Sequence, residues 1–236
     1  TLFTQSSIEL QSGSVRFVDS SNTIVEDASL SITNGMLEFL ANSTVLFTNS
    51  DLDVAGGNFH TRGFTTISII DTSLSIGGSI FIHDDSNLVV ENVDIDITDG
   101  SFSILDRSIV KITDTTIDIE TGNMIFSNGD ETETNFITFE RVKVNVTTAA
   151  DSVNSYEVDD TTGKPLRRLS SGNMILTDYV DVTFRQSEIE IDGNLQMTGP
   201  ARLNLYENTN MSIPFGVIVM DEFGFIDIQD ESTLVN

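Results

Sequence analysis

The chain has 236 residues, of which 39% are hydrophobic, and its 37 acidic against 11 basic residues give a net charge of −26. Nucleic acids and anionic membrane surfaces both require clustered Lys and Arg, so we expect neither as a partner. Cys is absent, which excludes disulfides and thiolate metal sites, and the lack of any run of about 18 apolar residues predicts no membrane-spanning helix.

A short alternating segment that closes on glycine recurs along the chain. The first, SSIELQSG, ends at Gly13, and later segments end at Gly35, Gly57, Gly78, Gly100, Gly122, Gly172, Gly193 and Gly216. The steps between the first six glycines are 22, 22, 21, 22 and 22 residues. Such a constant spacing indicates a repeat architecture, in which each repeat is one structural unit stacked on the next.

Two further strands are predicted after each glycine. At the second and fourth residues beyond it, 17 of 18 positions are apolar, and Thr61 is the exception. A third strand has apolar residues at i and i+2 and often Asn or Asp at i+4, as in Val45, Phe47 and Asn49. Period-2 alternation buries one face of each strand. We expect glycine to permit a positive φ at one corner, and Asn or Asp to do so at another.

Three short strands per 22 residues, with turns too short for a helix, predict an all-β parallel β-solenoid (β-helix). It would have about nine coils and form a single domain over residues 1–236. One-sided alternation disfavours an α/β sheet buried on both faces. An antiparallel sandwich would alternate too, but it would not keep a constant 21–22-residue register. The winding is predicted to be right-handed, because parallel crossovers strongly prefer that sense.

The two ends of the chain and one interruption complete the predicted organisation. The chain enters on a third strand at Thr1 and finishes in a first strand at Asn236, so we expect adjoining coils of a longer solenoid, or other copies stacked end to end. Residues 145–171 interrupt the seventh coil and hold Lys164, Pro165 and Arg167. They predict a projecting loop, which either carries binding or is a tolerated surface excursion.

The repeat resembles that of right-handed parallel β-helix proteins of the pectin-lyase-like class over essentially the whole chain. The doublets Gly56-Gly57 and Gly77-Gly78, each followed by a polar and then an apolar residue, are similar to the Gly-Gly element of surface β-helix adhesins such as chlamydial polymorphic membrane proteins. The companion FxxN element of those adhesins is mostly replaced here by sequences like Phe47-Thr48-Asn49. The resemblance implies an architecture and says little about function.

Outward positions of the first strands gather acidic side chains. The repeat register predicts that Asp94, Asp96 and Asp118 cluster beside Arg141 and Lys143 of the following coil. Stacked carboxylates can raise one another's pKa, bind Ca²⁺, or act as acid and base on a glycan. The alternatives are therefore a solvated face, a calcium site, or the catalytic patch of a carbohydrate-active enzyme (a polysaccharide lyase or hydrolase) that uses these three aspartates with Lys143.

Outward positions of the second strands are unexpectedly apolar. Phe81, Ile125, Ile175 and Val219 share one outward column, which predicts either an interface or a surface covered by the inserted loop. His60 and His83 lie outward on adjacent coils of the same face. They could share a metal ion, but without a matched third ligand they are interpreted as surface residues.

The leading functional hypothesis is an extracellular or cell-surface structural and binding protein, serving as a rigid spacer, a fibre or filament component, or an adhesin. It rests on the repeat that extends along the chain, the acidic exterior and the scarcity of catalytic residue types. Three sequons, at Asn42, Asn145 and Asn210, favour a secreted glycoprotein, the first two at turn or loop positions. Partners would be glycans or surface proteins, and Ca²⁺ is the one cofactor considered. The alternative is the carbohydrate-active enzyme described above.

Overall fold

The computed structural model describes residues 1–128, 134–148 and 171–236, together with the backbone of two short strands between them. The described residues contain no helix and form three parallel sheets that run along one stack. Each coil of about 22 residues contributes one strand to each sheet, for about nine coils. The predicted β-solenoid with three strands per coil is confirmed, and its right-handed winding stays a prediction.

The first sheet contains the strands that precede each glycine corner. They are β2 (Ser7–Leu10), β5 (Ser29–Ile32), β8 (Asp51–Val54), β11 (Ser73–Ile76), β14 (Asp94–Ile97), β17 (Thr116–Ile119), β20 (Lys143–Val146), β25 (Glu188–Ile191), β28 (Asn210–Ser212) and β31 (Thr233–Val235). The second sheet follows the corner. Its strands are β3 (Gly13–Phe17), β6 (Gly35–Leu40), β9 (Asn58–Arg62), β12 (Ile80–Ile82), β15 (Phe102–Leu105), β18 (Met124–Asn128), β23 (Met174–Asp178), β26 (Leu195–Thr198) and β29 (Ile218–Met220).

The third sheet closes each coil. Its strands are β1 (Leu2–Thr4), β4 (Asn22–Glu26), β7 (Thr44–Thr48), β10 (Thr66–Ile70), β13 (Asn87–Glu91), β16 (Ile109–Thr113), β19 (Asn135–Glu140), β24 (Val180–Arg185), β27 (Arg202–Tyr206) and β30 (Phe225–Ile228). Outside the coils, β21 (Tyr156–Val158) pairs in antiparallel fashion with β22 (Pro165–Arg167). The remaining residues between 149 and 170 lie outside the described part of the chain.

The register of the stack is interrupted at two places, one more than the sequence predicted. Val110 pairs with Ile137, a step of 27 residues, so five additional residues lie between Asn128 and Asn135. The second interruption falls within the predicted 145–171 segment, although β20 still includes Asn145 and Val146. The coil therefore continues two residues beyond the predicted start of the loop.

The interior of the solenoid is filled by the inward residues of all three sheets. Its largest fully buried side chains are phenylalanines, namely Phe39, Phe47, Phe59, Phe102, Phe126, Phe139 and Phe184. Some rings stack from coil to coil, as at Phe139 and Phe184, whose centroids are 4.5 Å apart. Thr61, the single polar exception of the second strand, is fully buried and donates to Ser86 Oγ at 2.8 Å. Its hydroxyl is therefore satisfied inside the core.

The glycine corner is required by close packing between coils, and the expected positive φ is not its general cause. Gly57 and Gly122 are outside the left-handed region. A Cβ added to Gly57 would lie 1.4 Å from the carbonyl oxygen of Gly35, and one on Gly122 would lie 1.4 Å from that of Gly100. No side chain fits between these backbones, so glycine must stack on glycine. Among the corner glycines, Gly13, Gly35 and Gly172 do show a positive φ, of 111°, 156° and 76°.

The Asn and Asp corner between the third and first sheets behaves as predicted. Asn49, Asp71 and Asn92 have φ values of 49°, 49° and 53°. Such left-handed conformations are tolerated best by Gly, Asn and Asp. The following residue is often Ser or Thr, and its hydroxyl links coils: Ser50 Oγ donates to Thr48 O at 2.9 Å and accepts the N–H of Ala28, one coil away, at 3.3 Å.

A ladder of Asn and Ser side chains follows the glycine column and was not predicted. Each side-chain oxygen accepts the backbone N–H of the corresponding residue in the next coil, at 2.7–3.1 Å. The pairs are Ser79 to Asn58, Ser101 to Ser79, Asn123 to Ser101, Asn173 to Asn123, Asn194 to Asn173 and Val217 to Asn194. The signal was the recurrent Gly-Asn or Gly-Ser dipeptide, which supplies a short acceptor where a corner N–H is otherwise unpaired.

Sensitivity to substitution should alternate along β18. Phe126 is fully buried between Ile104 and Leu176, so Phe126→Ala should cost about 3–5 kcal/mol of unfolding free energy, and Phe126→Asp more. Ile125 points outward, so Ile125→Asp should be tolerated far better. Denaturant unfolding of the three variants measures this. Equal losses at both positions would contradict the register.

The Asn/Ser ladder should be measurable at Asn123. Asn123→Ala removes the acceptor of the Asn173 backbone N–H, which is buried, and should cost about 1–3 kcal/mol. Asn123→Ser should recover much of this loss, because Ser79 and Ser101 hold the equivalent position in earlier coils. Urea unfolding of both variants decides the point. If serine is no better than alanine, the ladder does not contribute as described.

Candidate functional surfaces

The three aspartates of the first sheet lie where the repeat register predicted them, but their neighbour in the following coil does not. Asp96 lies directly beside Asp118 of the next coil, whereas Asp94 lies beside Thr116 in the neighbouring column. In the following coil Asn145 aligns with Asp118, and its Nδ2 donates to Asp118 Oδ1. An amide, and not a cation, therefore adjoins the Asp118 carboxylate on the side away from Asp96.

The predicted position of Lys143 beside Asp118 is wrong. Lys143 aligns with Thr116 and with Glu188 on either side. The reason is that Arg141 occupies the left-handed corner, with φ of 54°, and Val142 takes the buried position after it. The strand consequently begins at Lys143, two residues later than the Arg141 start that the repeat register predicted.

Arg141 also does not join the acidic column. Its guanidinium binds the carboxylate of Asp114 at the preceding corner, with Nε–Oδ1 and Nη2–Oδ2 distances of 2.6 and 2.8 Å. This bidentate contact holds the pKa of Asp114 below its ordinary value, since it favours the charged carboxylate. Both side chains are exposed, and their ion pair links the corners of two adjacent coils.

Calcium binding by the three aspartates stays a prediction. Within the described residues, no group of three or more His, Asp or Glu side chains is placed to hold a metal ion. Asp94 lies in a different column from the other two, and one Asp118 oxygen already accepts a hydrogen bond from Asn145. Neutral side chains bind carboxylates elsewhere on this face as well: Ser73 Oγ, for example, donates to Asp51 of the adjacent coil.

The four apolar residues predicted on the second sheet do share one outward column, but they are not continuous. Ile125 lies directly beside Ile175. Ser103 separates Phe81 from this pair, and a glutamine separates it from Val219. The interface role of these residues stays a prediction. A further exposed pair on the third sheet, Ile109 and Phe136 at 55% and 61% exposure, was missed, although the outward parity of Phe136 in NFITF would have revealed it.

Two histidines and a phenylalanine form a group of three rings on the second sheet. The ring centroids of His60 and His83 are 5.0 Å apart, and Phe81 lies 6.0 Å from the first and 5.8 Å from the second. The rings border a shallow depression of about 350 Å³, whose lining includes Asn58 and Arg62. The sequence had placed both histidines on this face without linking them to Phe81.

Burial and the neighbouring charges together determine the pKa of His60. Partial burial is the main cause of a lowered His60 pKa, and the nearby His83 and Arg62 add to it. Glu38 and Asp84 partly offset these effects. Around the depression, His83 Nδ1 lies 3.7 Å from Asp106 Oδ2, and Arg62 Nε lies 4.0 Å from Asp84 Oδ2. At neutral pH the structure therefore favours an uncharged His60 ring.

Comparison with known proteins gives no match: no protein-family model, no curated protein and no solved structure is significantly similar to this chain. Within the part of the chain that the structure describes, no helix is long and apolar enough to cross a membrane.

The lowered pKa of His60 predicts a loss of stability on acidification. Its ordinary pKa is 6.5, so below that pH the unfolded chain takes up a proton that the folded protein resists. The contribution is lost as pH falls through 6.5 toward the lower folded pKa. Melting temperatures across this range should decline more steeply for the wild-type protein than for His60→Gln. Carboxylate titration is common to both proteins, so parallel curves would contradict the prediction.

Proposed function

We propose that this chain is an extracellular or cell-surface β-solenoid with a structural and binding role, as a rigid spacer, a fibre or filament component, or an adhesin. The observation that carries the proposal is the continuity of the stack. Even across the larger interruption, Gly172 N donates to Gly122 O at 2.6 Å and the Asn ladder continues at Asn173. The scaffold is thus preserved where the sequence is least regular.

Such continuity favours a load-bearing or spacing role over one that depends on a moving active site. Adjacent parallel strands lie about 4.8 Å apart, so nine coils extend roughly 43 Å along the axis. Each coil is hydrogen-bonded to its neighbours on all three sheets and at the corners. In a repeat protein of this kind stability is approximately a sum of neighbour contacts, and bending the axis would disturb many of them together.

At the two ends of the described stack, apolar residues are exposed whose counterparts in the middle coils are buried. At one end Phe3, Ile8 and Phe17 are only partly buried, and at the other Met220 and Ile228 are nearly half exposed, although their counterparts Met197 and Leu205 are fully buried. Apolar surface of this kind marks a contact site. The proposal assigns both ends to further coils, either adjoining in a longer chain or belonging to another copy.

Accessible sequons support an extracellular location. Asn42 is exposed at a corner, directly after the left-handed Ala41, and Asn210 is exposed on β28. Asn145 differs from the expected turn or loop position, because it lies within β20, half-buried and bonded to Asp118. Asn42 is consequently the best placed of the three for glycan attachment. Glycans or surface proteins are the proposed partners.

The carbohydrate-active alternative has less support. It depended on Lys143 as a cation beside Asp96 and Asp118, and Asn145 occupies that place. No specific contact among the described residues pairs these aspartates with another acid–base group. A solvated acidic face suits a spacer or an adhesin equally well, because like charge keeps such surfaces soluble.

The surface location can be tested on cells that produce the protein. Antibodies raised against the folded segment should label intact cells, and brief external protease treatment should remove the label. Labelling that appears only after the cells are permeabilised would overturn the proposal.

Glycosylation of individual sequons tests separately whether the exposed asparagines are accessible. When the chain is directed through a eukaryotic secretory pathway, Asn42→Gln should lose more glycan-dependent mobility shift than Asn145→Gln, because Asn42 alone of the two is exposed at a corner. An equal or reversed order would remove the support that the sequons give.

A further inference from the structure

The group of three rings on the second sheet has the composition of a recognition site more than that of a solvated face. His60, Phe81 and His83 come from two adjacent coils and are each half-buried. Their mutual centroid distances of 5.0–6.0 Å bring them into a single aromatic patch. On a chain with a net charge of −26, most outward positions are polar or acidic, so this patch stands apart from its surroundings.

Polar groups border the patch on its open side. Asn58 and Arg62 belong to the same strand as His60 and line the same depression. Asn58 Oδ1 is already used by the Ser79 N–H, so its amide offers the Nδ2 donor. Arg62 keeps a largely exposed side chain, since its contact with Asp84 is a loose one of 4.0 Å. A few placed donors around an apolar floor are typical of small-ligand sites.

We propose that this patch, the His60–Phe81–His83 platform, binds a neutral pyranose sugar through the face of its ring. One face of a pyranose presents C–H groups that pack on aromatic rings, while its hydroxyls extend to the rim, where Asn58 and Arg62 can donate hydrogen bonds. This inference rests on the proposed binding role of the solenoid and gives it a ligand class and a location.

Charge decides between a neutral and an anionic sugar. Arg62 is attractive to an anion, but Asp84, Asp106 and Glu38 lie around the same rings, and the whole chain is strongly negative. An acidic sugar would therefore be repelled over most of its approach. The lowered pKa of His60 acts in the same direction, because an uncharged imidazole offers an apolar face to a C–H surface.

Metal binding is the other chemistry that two histidines suggest, and the structure favours it less. A protein metal site generally needs a third or fourth side-chain ligand. No such set of His, Asp or Glu is assembled among the described residues. The sugar platform uses Phe81, which a metal site would leave unexplained.

The histidines themselves provide the assay. The chain contains two histidines, and both belong to the platform, so their imidazole NMR signals report on this site alone. The folded protein would be titrated with methyl glycosides of glucose, galactose, mannose, fucose and N-acetylglucosamine, and with glucuronate for comparison. We expect at least one neutral glycoside to shift both signals saturably, in the millimolar range suited to a shallow single site.

Matched variants connect the shift to the ring surface. Phe81→Ala should abolish the saturable shift, and Phe81→Leu, which keeps apolar bulk but removes the ring, should weaken it strongly. Ile175→Ala alters an outward residue of the same column outside the platform and should leave the titration unchanged. Unfolding curves of the three variants verify that each is folded.

Three results would overturn the proposal: no saturable shift with any neutral glycoside, an undiminished shift in both Phe81 variants, or a shift with glucuronate only. A negative titration would leave the cell-labelling result for the surface solenoid intact. Failure of the sugar site and failure of the proposed function are thus distinguishable.

Discussion

The close approach of each coil to the next is the constraint on which the rest of this structure depends. Parallel pairing fixes the spacing between coils at about 4.8 Å, so every residue has its counterpart in the next coil as its nearest neighbour. At the glycine corner this leaves no space for a side chain, because a Cβ added to Gly57 would lie only 1.4 Å from the carbonyl oxygen of Gly35. Elsewhere it makes like stack on like: Phe139 on Phe184 in the core, and Asn173 on Asn123 at the corner.

The local parts of this arrangement could be predicted from sequence, and the contacts between coils could be predicted only in part. Period-2 alternation identifies inward residues such as Met124 and Phe126 because parity is a property of a single strand. The role of Gly57 was misjudged because its constraint comes from a residue 22 positions away. Lys143 was misplaced because Val142, Val144 and Val146 fit two registers equally well, and Arg141 hides the corner that Asn or Asp usually marks.

The candidate sites follow the same division. Each outward column was predicted correctly in the coils with regular spacing, so the facing of Phe81 and Ile125 was known in advance. What could not be predicted was which neighbours meet across coils and columns. His83 belongs to a different column from His60 and Phe81. The three rings come together only because adjacent coils stack and the side chains extend toward one another.

The same stacking limits how charge can be placed on the surface. Two unit charges about 4 Å apart repel by about 1 kcal/mol in water, so a continuous column of carboxylates would oppose the pairing of its own coils. The first sheet avoids this by interleaving acidic and neutral residues: Ser31 and Asp53 alternate along the column, and Asn145 follows Asp118. Where neutral groups intervene they also bind the carboxylate, as Asn145 does. The adjacent Asp96 and Asp118 are therefore flanked in their column by two neutral residues, Ser75 and Asn145, and Asn145 also donates a hydrogen bond to Asp118. This interleaving accounts for the acidic face without assigning it a catalytic role.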